Sequence, residues 1–290
     1  MLLVQYAAAK INFYLEITGR LENGYHSMRM LNQTVDLCDK LTLADGTGGL
    51  TLSCDEKNIP TDKSNLVLRA AEEFLKASGL ALPAGGLHFI LEKKIPSQAG
   101  LGGGSADAAA ALKMLQKRFS SPLSKEKLFE LAENLGADVP FSLLEGTARA
   151  EGKGEILMPL PPLKTGCFLI AKPSVGVSTK AAFEAFDREK TRCGGDFFAA
   201  KEALEQQNLS NLGNLVYNHF EALCEVKEIR EIKEKLLSFG ALGAAMTGSG
   251  SAVFGLFENE KAANEAKKQM MGQVDFLALA RPCSASPAID

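Results

Sequence analysis

Tryptophan is absent from this 290-residue chain, and histidine occurs only three times. The six cysteines (Cys38, Cys54, Cys167, Cys193, Cys224, Cys283) are scattered, and no two have CxxC spacing. That combination carries no zinc pattern and fits free thiols in a reducing cytoplasm. No apolar run approaches the roughly 18 residues of a membrane-spanning helix. The N-terminus starts apolar but has no basic lead-in, and Lys10 interrupts it early, so it does not read as a secretion signal. Positive charge is not in excess either. Lys and Arg number 32 against 35 Asp and Glu, for a net charge of -3, and no Lys/Arg-rich block exists. The overall field therefore disfavours nucleic acid as a partner. Repeats and low-complexity linkers are also missing.

What is present is ordinary globular composition, with 46% apolar, 7% aromatic and 23% charged residues. At about 150 residues per domain, the length suggests two domains and a core that needs no staple. The densest cluster of structure breakers is Met158–Gly166, with three prolines. Proline cannot continue a helix or sit within a central strand. The boundary is therefore placed there, giving domains 1–158 and 159–290.

The pattern mixes strands and helices. Thr34–Leu43 and Leu87–Leu91 read as strands, and Ser64–Ser78 as a helix capped by Ser64 or Asn65 and closed by Gly79. Helices are expected from about Ser105 to Arg118 and from Ser124 to Leu135. Beyond the boundary, Cys167–Ala171 reads as a strand, and a helix starts near Ser178. Val226–Phe239 and Asn259–Met271 read as helices, Ala244–Thr247 and Ala252–Phe257 as a hairpin pair, and Phe276–Ala280 as a last strand. Two layers of strands and helices fit an α+β fold better than a doubly wound one.

The most informative stretch is Lys93–Leu112. A strand end is followed by a loop with Gly100, Gly102, Gly103 and Gly104, then by an Ala-rich helix near Ser105. Glycines let the backbone approach a ligand closely, and a helix start presents free N–H groups and positive potential. Loop plus helix start form a phosphate site. No Walker A string occurs, the Rossmann spacing fails, and the kinase HRD and DFG strings are missing. Elsewhere, Lys10 and Asn12 share a face of an apolar, strand-like run. Asp138 precedes Val139-Pro140 and reads as an N-cap. His88 and His219 read as structural residues of a strand and a helix.

The string Pro96-Ser-Gln-Ala-Gly-Leu-Gly-Gly-Gly-Ser105 resembles the second motif of the GHMP kinase superfamily, a group of small-molecule kinases. Ala244–Gly255, with Gly248-Ser249-Gly250, resembles its third motif. Ala9-Lys-Ile-Asn12, Gly24-Tyr-His26 and Gly136-Ala-Asp-Val-Pro-Phe141 are similar to the diphosphocytidyl-methylerythritol kinase branch. The resemblance runs from Ala9 to Phe254. It implies a two-domain fold, with an N-terminal domain like ribosomal protein S5 domain 2 and a ferredoxin-like C-terminal domain. It also implies ATP with Mg²⁺ as cofactors and a small cytidyl diphosphate alcohol as substrate.

By the same resemblance, Lys10 and Asp138 are catalytic and come within direct or water-bridged contact. Pro96, Gly100, Leu101, Gly102, Gly103, Gly104, Ser105 and Ala106 hold the nucleotide. Asn12, Thr179, Gly248 and Ser249 face the substrate. Tyr25 stacks on the cytosine, His26 bonds its edge, and Phe183 or the nearby Phe186 covers its other face. Ala106 stands where other members carry a second serine, leaving the metal to Ser105 or water. The expected state is a monomer or weak homodimer in the cytoplasm, with no nucleic-acid or membrane partner. A homoserine- or mevalonate-type kinase and a non-catalytic nucleotide-binding protein on the same fold remain as alternatives.

Overall fold

The computed structural model describes residues 2–22, 24–189 and 193–286. Its frame is a pair of unusually long antiparallel strands, β1 (Leu3–Arg20) and β2 (His26–Asp45). Register shifts between Ala8 and Lys10, Asn12 and Tyr14, and Ile17 and Gly19 bend β1 along its length. Such bulges re-aim side chains locally, and Lys10 and Asn12 lie between two of them. One half of β2 pairs with β4 (Leu87–Glu92), which also takes β3 (Leu50–Cys54) in parallel. The other half pairs with β5 (Thr147–Gly152), which carries the edge strand β6 (Ile156–Leu160). Pro159 sits in β6 because that strand pairs on one side only. The boundary expected after residue 158 thus falls inside a strand.

Against this sheet pack α1 (Leu66–Ser78), α2 (Gly103–Arg118), α3 (Lys125–Leu135) and the short α4 (Val139–Leu144). The Asn65 side chain caps α1 by accepting from Val67 N at 2.9 Å, and Gly79 closes it in the left-handed region. Four consecutive alanines of α2, Ala108–Ala111, are all buried. Small side chains let this helix lie close to its neighbours.

The second half begins with β7 (Cys167–Lys172), then α5 (Thr179–Glu189), α6 (Phe197–Glu205) and α7 (Leu209–Leu215). A two-residue strand β8 (Tyr217–Asn218), a 3-10 turn (His219–Leu223) and α8 (Lys227–Ser238) follow. The chain ends with β9 (Gly243–Met246), β10 (Val253–Phe257), α9 (Glu260–Met270) and β11 (Phe276–Ala280). Strand order β11-β7-β10-β9 in an antiparallel sheet, with helices between β7 and β9 and between β10 and β11, is the ferredoxin-like arrangement. The α+β architecture and the hairpin around Gly248 match expectation.

The halves are not independent. Strand β8 pairs with β1 at Tyr14 and Leu15, and Pro282 bridges back to Val35. Phe13 of β1 packs against Phe168 of β7 and Phe254 of β10, with ring centroids 5.8 and 6.3 Å apart. The seam between the sheets is therefore apolar core, and its open end becomes the site.

Candidate active site

A cleft of about 870 Å³ lies between the halves. Its walls include the Gly100–Gly104 loop, Lys10, Asp138, Phe183 and the Gly248–Gly250 turn. Two backbone approaches fix this shape. Gly100 (φ 74) lies so close to Thr247 that a Cβ would stand 1.9 Å from its carbonyl oxygen. Gly248 (φ 55) packs back on Gly100, where a Cβ would stand 2.8 Å from the oxygen. Only glycine suits both the conformation and the space. The two loops, 148 positions apart, are thus one wall.

Helix α2 starts at Gly103, two residues before the expected start, because Gly102 (φ 71) serves as the cap and offers no side chain. Its first inward backbone bond runs from Ala106 N to Gly102 O at 2.9 Å. The N–H groups of Gly103, Gly104 and Ser105 precede that bond, and nothing caps them through a side chain. Ala106, expected among the nucleotide contacts, differs. Its N–H is used within the helix and its side chain is buried.

Lys10 is buried, and its Nζ donates to Asn12 Oδ1 at 2.8 Å and lies 3.8 Å from Asp138 Oδ1. The expected approach of Lys10 and Asp138 is therefore present. Its backbone N–H donates to Leu101 O at 2.9 Å, which hangs the glycine loop on β1. Asp138 stands at the N-cap position of α4, but its side chain makes no capping hydrogen bond. The capping reading gives way to a carboxylate that is 37% exposed on the cleft wall.

Asn12 is the hub beneath. Its Oδ1 accepts from Lys10, from Gly248 N at 2.8 Å and from the Thr247 hydroxyl at 3.2 Å. Its Nδ2 donates to Asn32 Oδ1 at 2.7 Å. With 0% exposure and both ends engaged, Asn12 sets Lys10 and the Gly248 turn in place, and it is not among the residues that line the cleft.

At the other end, Thr179 Oγ1 and Ser249 Oγ lie 2.7 Å apart, joining two expected substrate contacts. His26 stacks on Phe183, with centroids 4.5 Å apart and planes at 14°, and meets Phe186 edge-on at 5.7 Å. Only Phe183 of the two phenylalanines lines the cleft. Tyr25 is 61% exposed, with the Lys153 ammonium 5.5 Å over its ring.

Behind the glycine loop lies a charge cluster that no sequence signal announced. Lys93 Nζ bonds Asp39 Oδ2 and, at 2.8 Å, Asp107 Oδ2. Asp39 Oδ1 accepts from the backbone of Lys94 and Ile95 at 2.6 and 2.8 Å. Burial pushes the Asp107 carboxyl up to about 7, opposed by the Lys93 charge and reinforced by Asp39. Lys93 and Asp107 also line the cleft. Positions 39, 93 and 107 have no periodic relation, so no spacing signal announced them. Also unforeseen is the apolar end formed by Ile59, Pro60, Leu66 and Ile95, next to the expected Pro96.

The GHMP kinases N terminal domain model matches residues 65–146, and the GHMP kinases C terminal model matches residues 200–274. This chain belongs to the GHMP kinase family. Among relatives, the 4-diphosphocytidyl-2-C-methyl-D-erythritol kinase of Lachnoclostridium phytofermentans is 43% identical over 263 residues, 90% of this chain and 89% of that one. The enzyme of the same name from Desulfitobacterium hafniense has the same identity and coverage. A crystal structure of a 4-(cytidine 5'-diphospho)-2C-methyl-D-erythritol kinase superposes with a TM-score of 0.81 at 34% identity, covering 96% of this chain and 99% of that one. The homoserine kinase of Cytophaga hutchinsonii superposes with a TM-score of 0.77 at 21% identity and shares the fold. In this GHMP kinase the matched N-terminal segment carries the Gly100–Gly104 loop and Asp138. Among the described residues no helix is long and apolar enough to cross a membrane, and no group of three or more His, Cys, Asp or Glu is arranged to hold a metal.

Proposed function

We propose that this GHMP kinase transfers the γ-phosphoryl group of ATP to the 2-hydroxyl of 4-diphosphocytidyl-2-C-methyl-D-erythritol, a step toward isoprenoid precursors, in the cytoplasm. The observation that carries the mechanism is the Lys10–Asp138 pair, 3.8 Å apart and facing the cleft beside an uncapped helix start. Phosphoryl transfer needs positioning and charge stabilisation above all. The N–H groups at Gly103–Ser105 hold phosphate oxygens, with the α2 dipole adding to the attraction. The apolar end at Ile59, Pro60 and Leu66 receives the adenine.

Asp138 accepts the hydroxyl proton as the new bond to phosphorus forms. Lys10 stabilises the charge developing on that oxygen. The Ser105 hydroxyl would help hold a magnesium ion bound with the nucleotide. That ion would neutralise phosphate charge. Phe183, already parallel to His26, offers the face on which the cytosine lies, with Tyr25 on the opposite side.

Asp138→Asn tests this reading, because it keeps the shape but cannot take the proton. Acceptor-dependent ADP formation should fall at least about 100-fold, the lower end of general-base contributions. A rate close to that of the unaltered chain would remove Asp138 from the mechanism.

A further inference from the structure

We propose that Asp187 selects the base this site accepts, by holding His26 in the tautomer whose Nδ1 is a hydrogen-bond acceptor. The inference rests on the cytidyl reading above and adds a positioning residue to it. His26 Nε2 lies 2.7 Å from Asp187 Oδ1, and the imidazole side chain is only 9% exposed. A carboxylate can only accept, so the hydrogen is on Nε2. In the neutral ring this leaves the Nδ1 lone pair available. Asp187 is itself anchored, with Oδ2 3.7 Å from Arg20 Nη1 at the end of β1. The pair joins α5 of the second half to the β1–β2 frame of the first.

The imidazole plane is fixed as firmly as its tautomer. Phe183 lies parallel to it within 14°, and Phe186 braces it edge-on at 87°. A base stacked on Phe183 beside His26 lies in the imidazole plane. Hydrogen bonds between ring edges need that coplanarity, so one orientation serves both stacking and edge recognition. An acceptor at Nδ1 matches the exocyclic amine of cytosine. Uracil carries a carbonyl oxygen at that position, and two acceptors face each other without a proton. A site built around a polar group rejects the analogue that leaves the group unpaired.

The test combines a variant with a direct observation. In Asp187→Ala the ring is free to exchange tautomers. KM for the cytidyl substrate should rise about tenfold, the worth of one charge-assisted hydrogen bond, while kcat stays within about twofold. The preference for CDP over UDP as a competitive inhibitor should drop by a similar factor, and Asp187→Glu should restore part of it. Nitrogen-15 spectra of the unaltered protein, which has three histidines, should show His26 with hydrogen on Nε2. Hydrogen on Nδ1 in that spectrum, or an unchanged CDP-to-UDP ratio in Asp187→Ala, overturns the inference. An unaltered chain that neither prefers CDP nor forms acceptor-dependent ADP overturns the kinase reading itself, and the inference with it.

Discussion

Lys10→Met removes the ammonium while keeping an unbranched side chain in the same slot. The charge lies 3.8 Å from Asp138 Oδ1. Two unit charges at that distance interact by about 4 kcal/mol at an effective dielectric of about 20, and by about 1 kcal/mol in water. Asp138 is 37% exposed, which places the site between those limits. The charge developing on the acceptor oxygen beside Asp138 should lose a stabilisation of that order, about 2 to 3 kcal/mol, so kcat falls about 30- to 150-fold. The fold should lose little. Asn12 Oδ1 keeps its bonds from Gly248 N and the Thr247 hydroxyl, so no buried acceptor is orphaned and the cost stays near about 1 kcal/mol. For a chain of this size that is a Tm shift of about 2–4 °C. ADP release at saturating ATP and acceptor gives kcat, and thermal unfolding gives Tm. An unchanged kcat would refute the charge argument. A Tm drop well beyond 10 °C, with activity lost in proportion to unfolded protein, would assign Lys10 a structural role only (about 10 °C being several kcal/mol).

Asp107 links stability to pH. Its carboxyl is pushed up to about 7 in the fold by burial, against about 3.9 unfolded. Between those values the folded state binds more protons, so stability falls as pH rises through the window and levels off above about 7. Asp107→Asn should flatten that slope in Tm measured from pH 5 to 8, and an identical slope in both proteins would exclude Asp107 as its source. Gly100→Ala should destabilise by at least about 2 kcal/mol in urea unfolding, because the φ of 74 is strained for alanine and the Thr247 carbonyl must move. A neutral result would mean that the two glycine loops are not tightly docked. Phe183→Leu should raise KM for the cytidyl substrate more than Phe186→Leu does, since Phe183 alone of the two lines the cleft.

Local signals carried much of the secondary structure. Asn65, Gly79 and Asn259 stop or start helices where side-chain chemistry says they should. The glycine loop and the Gly248 turn were legible because close backbone approach needs glycine. The long strands were less so. Thr34–Leu43 was visible, but β2 continues to His26 because β5 covers that half, a partner set only by the tertiary fold. Strands β3, β5 and β6 are only five or six residues long, too short for a firm periodic signal, and were not anticipated. Asp138 stands at the N-cap position that its sequence predicts, yet its side chain caps nothing and its carboxylate lines the cleft. The Lys93 cluster was invisible because three unrelated positions meet only after β2, β4 and α2 have packed.

The central claim is that this cleft moves phosphate from ATP to a cytidyl diphosphate alcohol. The direct measurement is ADP release by the purified chain with ATP, magnesium and 4-diphosphocytidyl-2-C-methyl-D-erythritol, against blanks lacking the alcohol or containing homoserine or mevalonate. The account predicts ADP formed in step with alcohol phosphorylated, and only with the cytidyl acceptor. Release no faster than the ATP-only blank, or equal turnover of homoserine or mevalonate, would contradict it.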